Sequence, residues 1–371
     1  MIPNAGSSRA AAMARPALVE DPLEIDAQWF NAVFAHTGLA ATVRSVTAAR
    51  IGTGQVGANI RFSLTYDAAS PEVPASVVGK FPSPDAQSRE TARALGIYRR
   101  EYHVYTVLDR ATAKLSPRLL YADYDEASDH FVLLMEDQAP ATQGDQLAGC
   151  DLSVARQAMA AAATLHAAYW NDPVLDTYAW LDGSAAAPPS VVTPELMAGL
   201  WHGFKTRYAG RLSAEAIAVG DRVATRLHDW ASGYQGPRCL SHADFRLDNF
   251  LLGGQRQALV VVDWQTAAFR APALDVAYFL GAGLIEERRR THEAELVALY
   301  HRHLVEAGVA GYSLDALWHD YRWFAFYGVQ MAFGAAMLVG QTERGDAMFL
   351  TMLHRHVDQI LAVDALSLLP A

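Results

Sequence analysis

Four polar residues between Cys239 and Gln265 have the types and spacing that phosphoryl transfer asks for. His242, Asp244 and Asn249 form the pattern H-x-D-x-x-x-x-N, and Asp263 follows fourteen residues after Asn249, at the end of the apolar run Ala258 to Val262. Moving a γ-phosphoryl group from ATP is mostly positioning and charge neutralisation, with little covalent work for the protein. Asp244 would accept a hydroxyl proton and aim the nucleophile. Asn249 and Asp263 would hold Mg²⁺, a hard cation that takes oxygen ligands and keeps several waters. The bland alternative is that these residues bond their own backbone in Asx turns flanking a core strand.

Geometry decides whether such residues meet. The Val-rich run after Gly253-Gly254 reads as a short buried strand, so Asp244 and Asn249 lie on a loop before a hairpin whose returning strand ends at Asp263. Upstream, Val43 to Ile51 and Ala58 to Tyr66 read as two strands, with Ile60, Phe62, Leu64 and Tyr66 alternating. Between them, Gly52, Gly54 and Gly57 let main-chain N–H groups approach an anion without side-chain obstruction. No Gly-Lys-Ser/Thr follows, which excludes a P-loop. Lys80 ends a further apolar strand. A helix read over Ser88 to Arg110 carries Glu90 in its first turn and Glu101 on a stripe with Tyr98, Tyr105 and Leu108. Strands within Lys114 to Asp125 and over His130 to Asp137 would complete a five-stranded antiparallel sheet.

These residues resemble the protein-kinase-like small-molecule kinases, in particular the aminoglycoside phosphotransferase and choline kinase group. His242, Asp244 and Asn249 match that group's catalytic loop, and Asp263-Trp264-Gln265 matches its metal-binding strand end. Ala243 and Gln265 stand where protein-serine kinases have Arg and Gly, which argues against a protein substrate. The resemblance implies an α+β, bilobal fold, with a five-stranded N-terminal lobe, a mostly helical C-terminal lobe and the nucleotide in the cleft. It makes Asp244 the base and Asn249 and Asp263 the metal ligands. Lys80 would contact the α- and β-phosphates, paired with Glu101 in preference to Glu90. Adenine would be read by the Glu136 carbonyl and the Gln138 N–H, with Met135 at the back of the pocket. His242 and His166 would brace the catalytic loop, and Asp275, which on spacing alone is a helix cap, would bond its backbone.

Size and charge set the remaining bounds. A chain of 371 residues exceeds what one hydrophobic core usually spans. The expected division is an unfolded stretch at 1–20, a nucleotide-binding lobe at 21–137, and a catalytic and substrate-binding lobe at 138–371 with inserted helices at 172–235. A net charge of −10 speaks against a nucleic-acid partner, which needs a Lys/Arg surplus. Cys150 and Cys239 lack metal or redox spacing, so free thiols and a cytoplasmic setting are expected. No run of ~18 apolar residues would span a bilayer, and the start lacks a signal-peptide pattern. The expected activity is ATP- and Mg²⁺-dependent phosphorylation of a small-molecule alcohol. A catalytically silent, nucleotide-binding regulatory module is the rival.

Overall fold

The computed structural model describes residues 15–52, 56–70, 73–186, 193–254 and 256–369. The expectations for residues 1–14 and for Gly54 lie outside these ranges. The chain separates into two compact units, residues up to 102 with 118–137, and residues 103–117 with 138–371.

The first unit is built on a five-stranded antiparallel sheet of β1 (Ala41–Ile51), β2 (Gly57–Ala69), β3 (Ser76–Pro82), β4 (Leu119–Asp125) and β5 (His130–Glu136), in the order β1-β2-β3-β5-β4. Strand alternation decides which residues go inward: Ile60, Phe62 and Leu64 of β2 are buried, as are Val77 and Phe81 of β3. They pack with Phe30, Val33 and Phe34 of α1 (Ala27–Thr37) into one core. Asp26 caps that helix by accepting from the Trp29 amide, and Gly38 ends it in the left-handed conformation. Gly79 is required by packing, because a Cβ there would lie 2.5 Å from the Phe81 ring.

One expected helix proves to be three. The stretch Ser88 to Arg110 is divided among α2 (Ala86–Ala94), α3 (Ile97–Val107) and α4 (Asp109–Leu115). Gly96 takes φ +63° at the first break, a conformation an α-helix cannot continue through, and Leu108 leaves the helical region at the second. The break lets α3 set its own axis, so Tyr98 and Glu101 are both buried.

The second unit is mostly helical. After the short strand β6 (Thr142–Gln143) come α5 (Leu152–Ala168), α6 (Pro194–Arg207) and α7 (Ala214–Gly233). The aromatic series on α6 is core: Trp201 and Phe204 are buried, with Tyr208 just beyond the helix end. Lys205, next to Phe204 on the same helix, pairs with Asp221 at 2.6 Å. Next come β7 (Cys239–Ser241), β8 (Phe250–Leu252), β9 (Leu259–Val261) and β10 (Ala268–Arg270), three residues each. They form two small sheets, β6-β8-β9 and β10-β7.

The closing helices are α8 (Pro272–Gly283), α9 (Glu286–Glu306), α10 (Leu314–Trp323), α11 (Ala325–Leu338) and α12 (Glu343–Ala362). The helical span Leu314 to Leu338 turns at Phe324, which caps α10 and precedes α11. All twelve residues of α8 are buried, so it runs through the centre of this unit.

At the meeting of α8, α11 and α12 sits His356, fully buried. A Cβ on Gly281 would lie 2.3 Å from its Nδ1, and one on Gly328 would lie 2.1 Å from its Cε1. Nδ1 donates to Gln359 Oε1 at 3.1 Å, because the Gln359 amide nitrogen is already committed to Ala277 and Tyr321. Nε2 has no hydrogen-bond partner. Burial therefore lowers the imidazole pKa to about 4. Because the native pKa is depressed, the contribution is present above the unfolded value near 6.5 and is lost as pH falls toward about 4. Over that window the linkage amounts to a loss on the order of 3 kcal/mol. Denaturant titrations at pH 7.5 and pH 5 should show the native chain losing stability, and His356→Asn should have a distinctly flatter pH slope.

Candidate active site

The loop that carries the motif is held from below by one carboxylate. Asp275, in the first turn of α8, does not cap its own helix; the N-cap is Ala271, with no side-chain bond. Its Oδ2 accepts the His242 amide at 2.7 Å and its Oδ1 accepts the Ala243 amide at 2.8 Å. Oδ2 also accepts from His166 Nε2 at 3.1 Å, and His166 Nδ1 bonds the Tyr300 hydroxyl at 2.7 Å. All of these groups are buried. The second of these amides belongs to Ala243, whose φ is +61°. A left-handed alanine costs about 1–2 kcal/mol and persists only where the surroundings over-determine it. Here two charge-assisted hydrogen bonds do so.

His242 ties this loop to the end of β9, two residues before Asp263. Its Nδ1 accepts the Asp244 amide at 3.3 Å, so its Nε2 donates to the Val262 carbonyl at 3.1 Å. The indole of Trp264 lies against the same ring, 4.8 Å between centroids, and Thr266 donates to the His242 carbonyl. The register Phe250↔Val261, Leu251↔Val260, Leu252↔Leu259 brings the two ends of the hairpin together. As a result the Val262 amide donates to the Asn249 carbonyl at 3.0 Å, and Asp263 follows in the left-handed conformation at φ +69°. Gly144, just after β6, supports this: a Cβ there would lie 2.5 Å from the Leu247 carbonyl oxygen.

Asp244 is buried, and its carboxylate is surrounded by donors. Asn249 Nδ2 donates to Oδ2 at 2.8 Å and to the Asp244 carbonyl at 2.8 Å, which leaves the amide oxygen of Asn249 turned away from Asp244. Arg246 Nε donates to Oδ1 and Oδ2 at 3.0 and 3.1 Å, and the Tyr278 hydroxyl donates to Oδ1 at 3.0 Å. Burial and then the neighbouring Asp244 charge push the Tyr278 pKa well up, so it stays a donor. For Arg246, burial opposes the charge, and the carboxylates of Asp244 and Asp248 overcome it, raising its pKa. Asp248 in turn accepts from Arg246, from both terminal nitrogens of Arg344, and from the Gln146 amide. Burial alone would raise its pKa, but the two arginines bring it below the usual carboxylate value.

In the first unit, Lys80 Nζ lies 2.6 Å from Glu101 Oε2, with both side chains buried. Glu101, not Glu90, is therefore the residue next to the lysine; Glu90 lies beside a surface pocket with Arg89, Arg93 and Asp129. Glu101 reaches Lys80 because it shares a face of α3 with Tyr98, whose hydroxyl accepts the Ser83 amide and donates to the Val56 carbonyl. Gly57 clears the path of the lysine, since a Cβ there would stand 3.3 Å from Lys80 Cε. Gly52 has φ +71°. Met135 is buried on β5 opposite Val78, and Glu136, opposite Val77, ends the strand. In the second unit, the Gln138 carbonyl accepts the Ala141 amide.

Residues 204–309, which contain the whole segment from His242 to Asp275, match the model of the ecdysteroid kinase-like family. Plasmodium vivax ethanolamine kinase is similar in structure, with a TM-score of 0.52 at 11% identity, over 84% of this chain and 81% of that one. The chain has the fold of the protein-kinase-like small-molecule kinases. Other structures with this kinase-like fold resemble it at lower scores. A thermostable mutant of aminoglycoside phosphotransferase APH(4)-Ia gives a TM-score of 0.45 at 18% identity, over 85% of this chain and 95% of that one. Choline kinase LicA from Streptococcus pneumoniae gives 0.44 at 15% identity, over 85% and 93%. No curated protein sequence matches the chain.

Arg246 and Tyr278 are the contacts of Asp244 that the motif did not flag. Arg246 sits inside the motif, two residues after Asp244, where its charge was a readable signal. Tyr278 lies on a helix buried on every side, so no periodicity singled it out. Removing the Asp275 charge tests the support of the loop. Asp275→Ala would leave two buried amides and the His166 ring without acceptors, at about 1–3 kcal/mol each. The variant should lose at least 3 kcal/mol in chemical denaturation, whereas Asp248→Asn, nearer the surface, should lose less.

Proposed function

We propose that this chain transfers the γ-phosphoryl group of ATP, in a Mg²⁺-dependent reaction, to a hydroxyl group of a small molecule. The observation that carries the reading is the orientation of Asn249. Its nitrogen is spent on Asp244, so its oxygen is the atom presented at the end of the hairpin that returns to Asp263. An amide oxygen with one carboxylate is an incomplete cage for Ca²⁺ or Zn²⁺. It fits Mg²⁺, which keeps waters and shares phosphate oxygens with its nucleotide. Among the described residues no group of three or more His, Cys, Asp or Glu side chains forms a metal cage.

In this reading the bound Mg²⁺–ATP supplies the electrophilic phosphorus and neutralises the charge that develops on transfer. Asn249 and Asp263 hold the cation. Lys80, fixed by Glu101, takes the α- and β-phosphates, with the main chain at Gly52 and Gly57 beside them. Met135, Glu136 and Gln138 receive adenine. Asp244 orients the acceptor hydroxyl and accepts its proton. His242, His166 and Asp275 keep the loop in shape without touching the reactants. The net charge of −10 fits a small-molecule acceptor better than a nucleic acid. Among the described residues no helix is long and apolar enough to cross a membrane.

The test is ADP release from Mg²⁺–ATP across a panel of small alcohols, run beside thermal shift with ATP. A hit should depend on Mg²⁺, and Asp244→Ala should lower its kcat by about a thousandfold. The same variant should keep the rise in Tm that ATP gives the native chain. Retained turnover in Asp244→Ala would remove that residue from the chemistry. Asp263→Asn should lose the part of the shift that Mg²⁺ adds.

A further inference from the structure

The carboxylate of Asp244 is already engaged by three donors, with its side chain 13% exposed. An ionised carboxylate offers about four lone-pair positions. Arg246 Nε spans one on each oxygen, Asn249 Nδ2 takes another on Oδ2, and the Tyr278 hydroxyl takes another on Oδ1. A hydroxyl group that is to be oriented by Asp244 therefore competes with these three donors for the carboxylate.

The surroundings pick out which one yields. Asn249 is fixed by its second bond to the Asp244 carbonyl. Tyr278 is held on the fully buried α8, its ring parallel to that of His356 at 5.6 Å between centroids and edge-on to Tyr327. Arg246 has a long side chain and a second carboxylate within reach: its NH1 donates to Asp248 Oδ2 at 2.9 Å and contacts the Met348 sulfur at 3.0 Å. If its Nε leaves Asp244, the guanidinium stays paired and pays no cost of burial without a counter-ion. Asp248 is itself anchored by Arg344, which reaches Asp145 at the surface.

We propose that Arg246 is an acceptor gate: it pairs with Asp244 in the resting chain and swings onto Asp248 when an alcohol hydroxyl competes for the carboxylate. This rests on the reading of Asp244 as the base. The gate's function is to discriminate against water. Water can in principle take the acceptor's place: its oxygen bonds to the γ-phosphorus, and the bond from that phosphorus to the β,γ-bridging oxygen breaks with its electron pair leaving on ADP. The proton then passes to the Asp244 carboxylate and on to solvent. A water molecule makes few other contacts and displaces Arg246 poorly, whereas an alcohol bound through the rest of its surface can do so.

The experiment measures ADP release from Mg²⁺–ATP with water as the only acceptor. Arg246→Gln should raise that rate at least tenfold over the native chain, and adding Asp244→Asn to it should abolish the rise. Arg246→Lys, which keeps the charge but cannot span both oxygens, should fall in between. Because Arg246 is largely covered, Arg344→Gln serves as the partner variant at the surface. Freed of one arginine, Asp248 should draw Arg246 toward itself and raise the rate about threefold. An unchanged or lower rate in both Arg246→Gln and Arg344→Gln, with the ATP-induced rise in Tm intact, overturns the gate but leaves the phosphotransferase reading standing. No rise in Tm with Mg²⁺–ATP in the native chain overturns that reading, and the gate falls with it.

Discussion

The structure of the candidate site depends on one buried anion receiving two neighbouring amides. Asp275 accepts from His242 and Ala243, and at Ala243 the backbone is held in a left-handed conformation that alanine does not favour. Without that turn, Asp244 would follow a different path from β7, and Asn249 would not meet it. His166 and Tyr300 complete the arrangement by supplying Asp275 with a third donor and filling the space behind it. A polar cluster this deep costs stability unless every member is satisfied. Here the main-chain donors of the loop satisfy it, so burial turns into precision of position.

A second constraint is division of labour among acidic groups. Asp275 meets backbone, Asp244 meets side chains, and Asp248 meets two arginines and the Gln146 amide. The three carboxylates lie within one short stretch of fold yet are kept apart by what each accepts. Their different environments, not their sequence neighbours, decide which of them is able to face a reactant. The same logic holds in the first unit, where Glu101 is committed to Lys80 while Asp137 is tied to Arg61 and Ser76.

How much of this could be read from the chain varies with the kind of physics involved. Strand alternation from Ile60 to Leu64 named the inward residues because one face of a sheet must be buried. The stripe shared by Tyr98 and Glu101 pointed to the right partner for Lys80, since a carboxylate on an apolar face needs a buried cation. The break at Gly96 was not legible, because a glycine inside a helical pattern reads only as a modest cost, and whether it bends depends on what lies beyond. Asp275 looked like a cap on spacing; only the return of the chain beside β7 gives its carboxylate a better use. The three-residue strands β7 and β10 are too short to carry a period, and Tyr278 is hidden in a helix that is apolar all round.

His356, Gly281 and Gly328 form a single volume shared by three helices. Neither glycine can grow while the imidazole keeps its place, and the imidazole ring lies flat on the tyrosine that bonds Asp244. Change among homologous chains at these three positions should therefore be correlated: a larger residue at 281 or 328 would be tolerated only alongside a smaller one at 356. The spacing of helices far from any reactant is in this way linked, through one aromatic stack, to the residue that would take the proton.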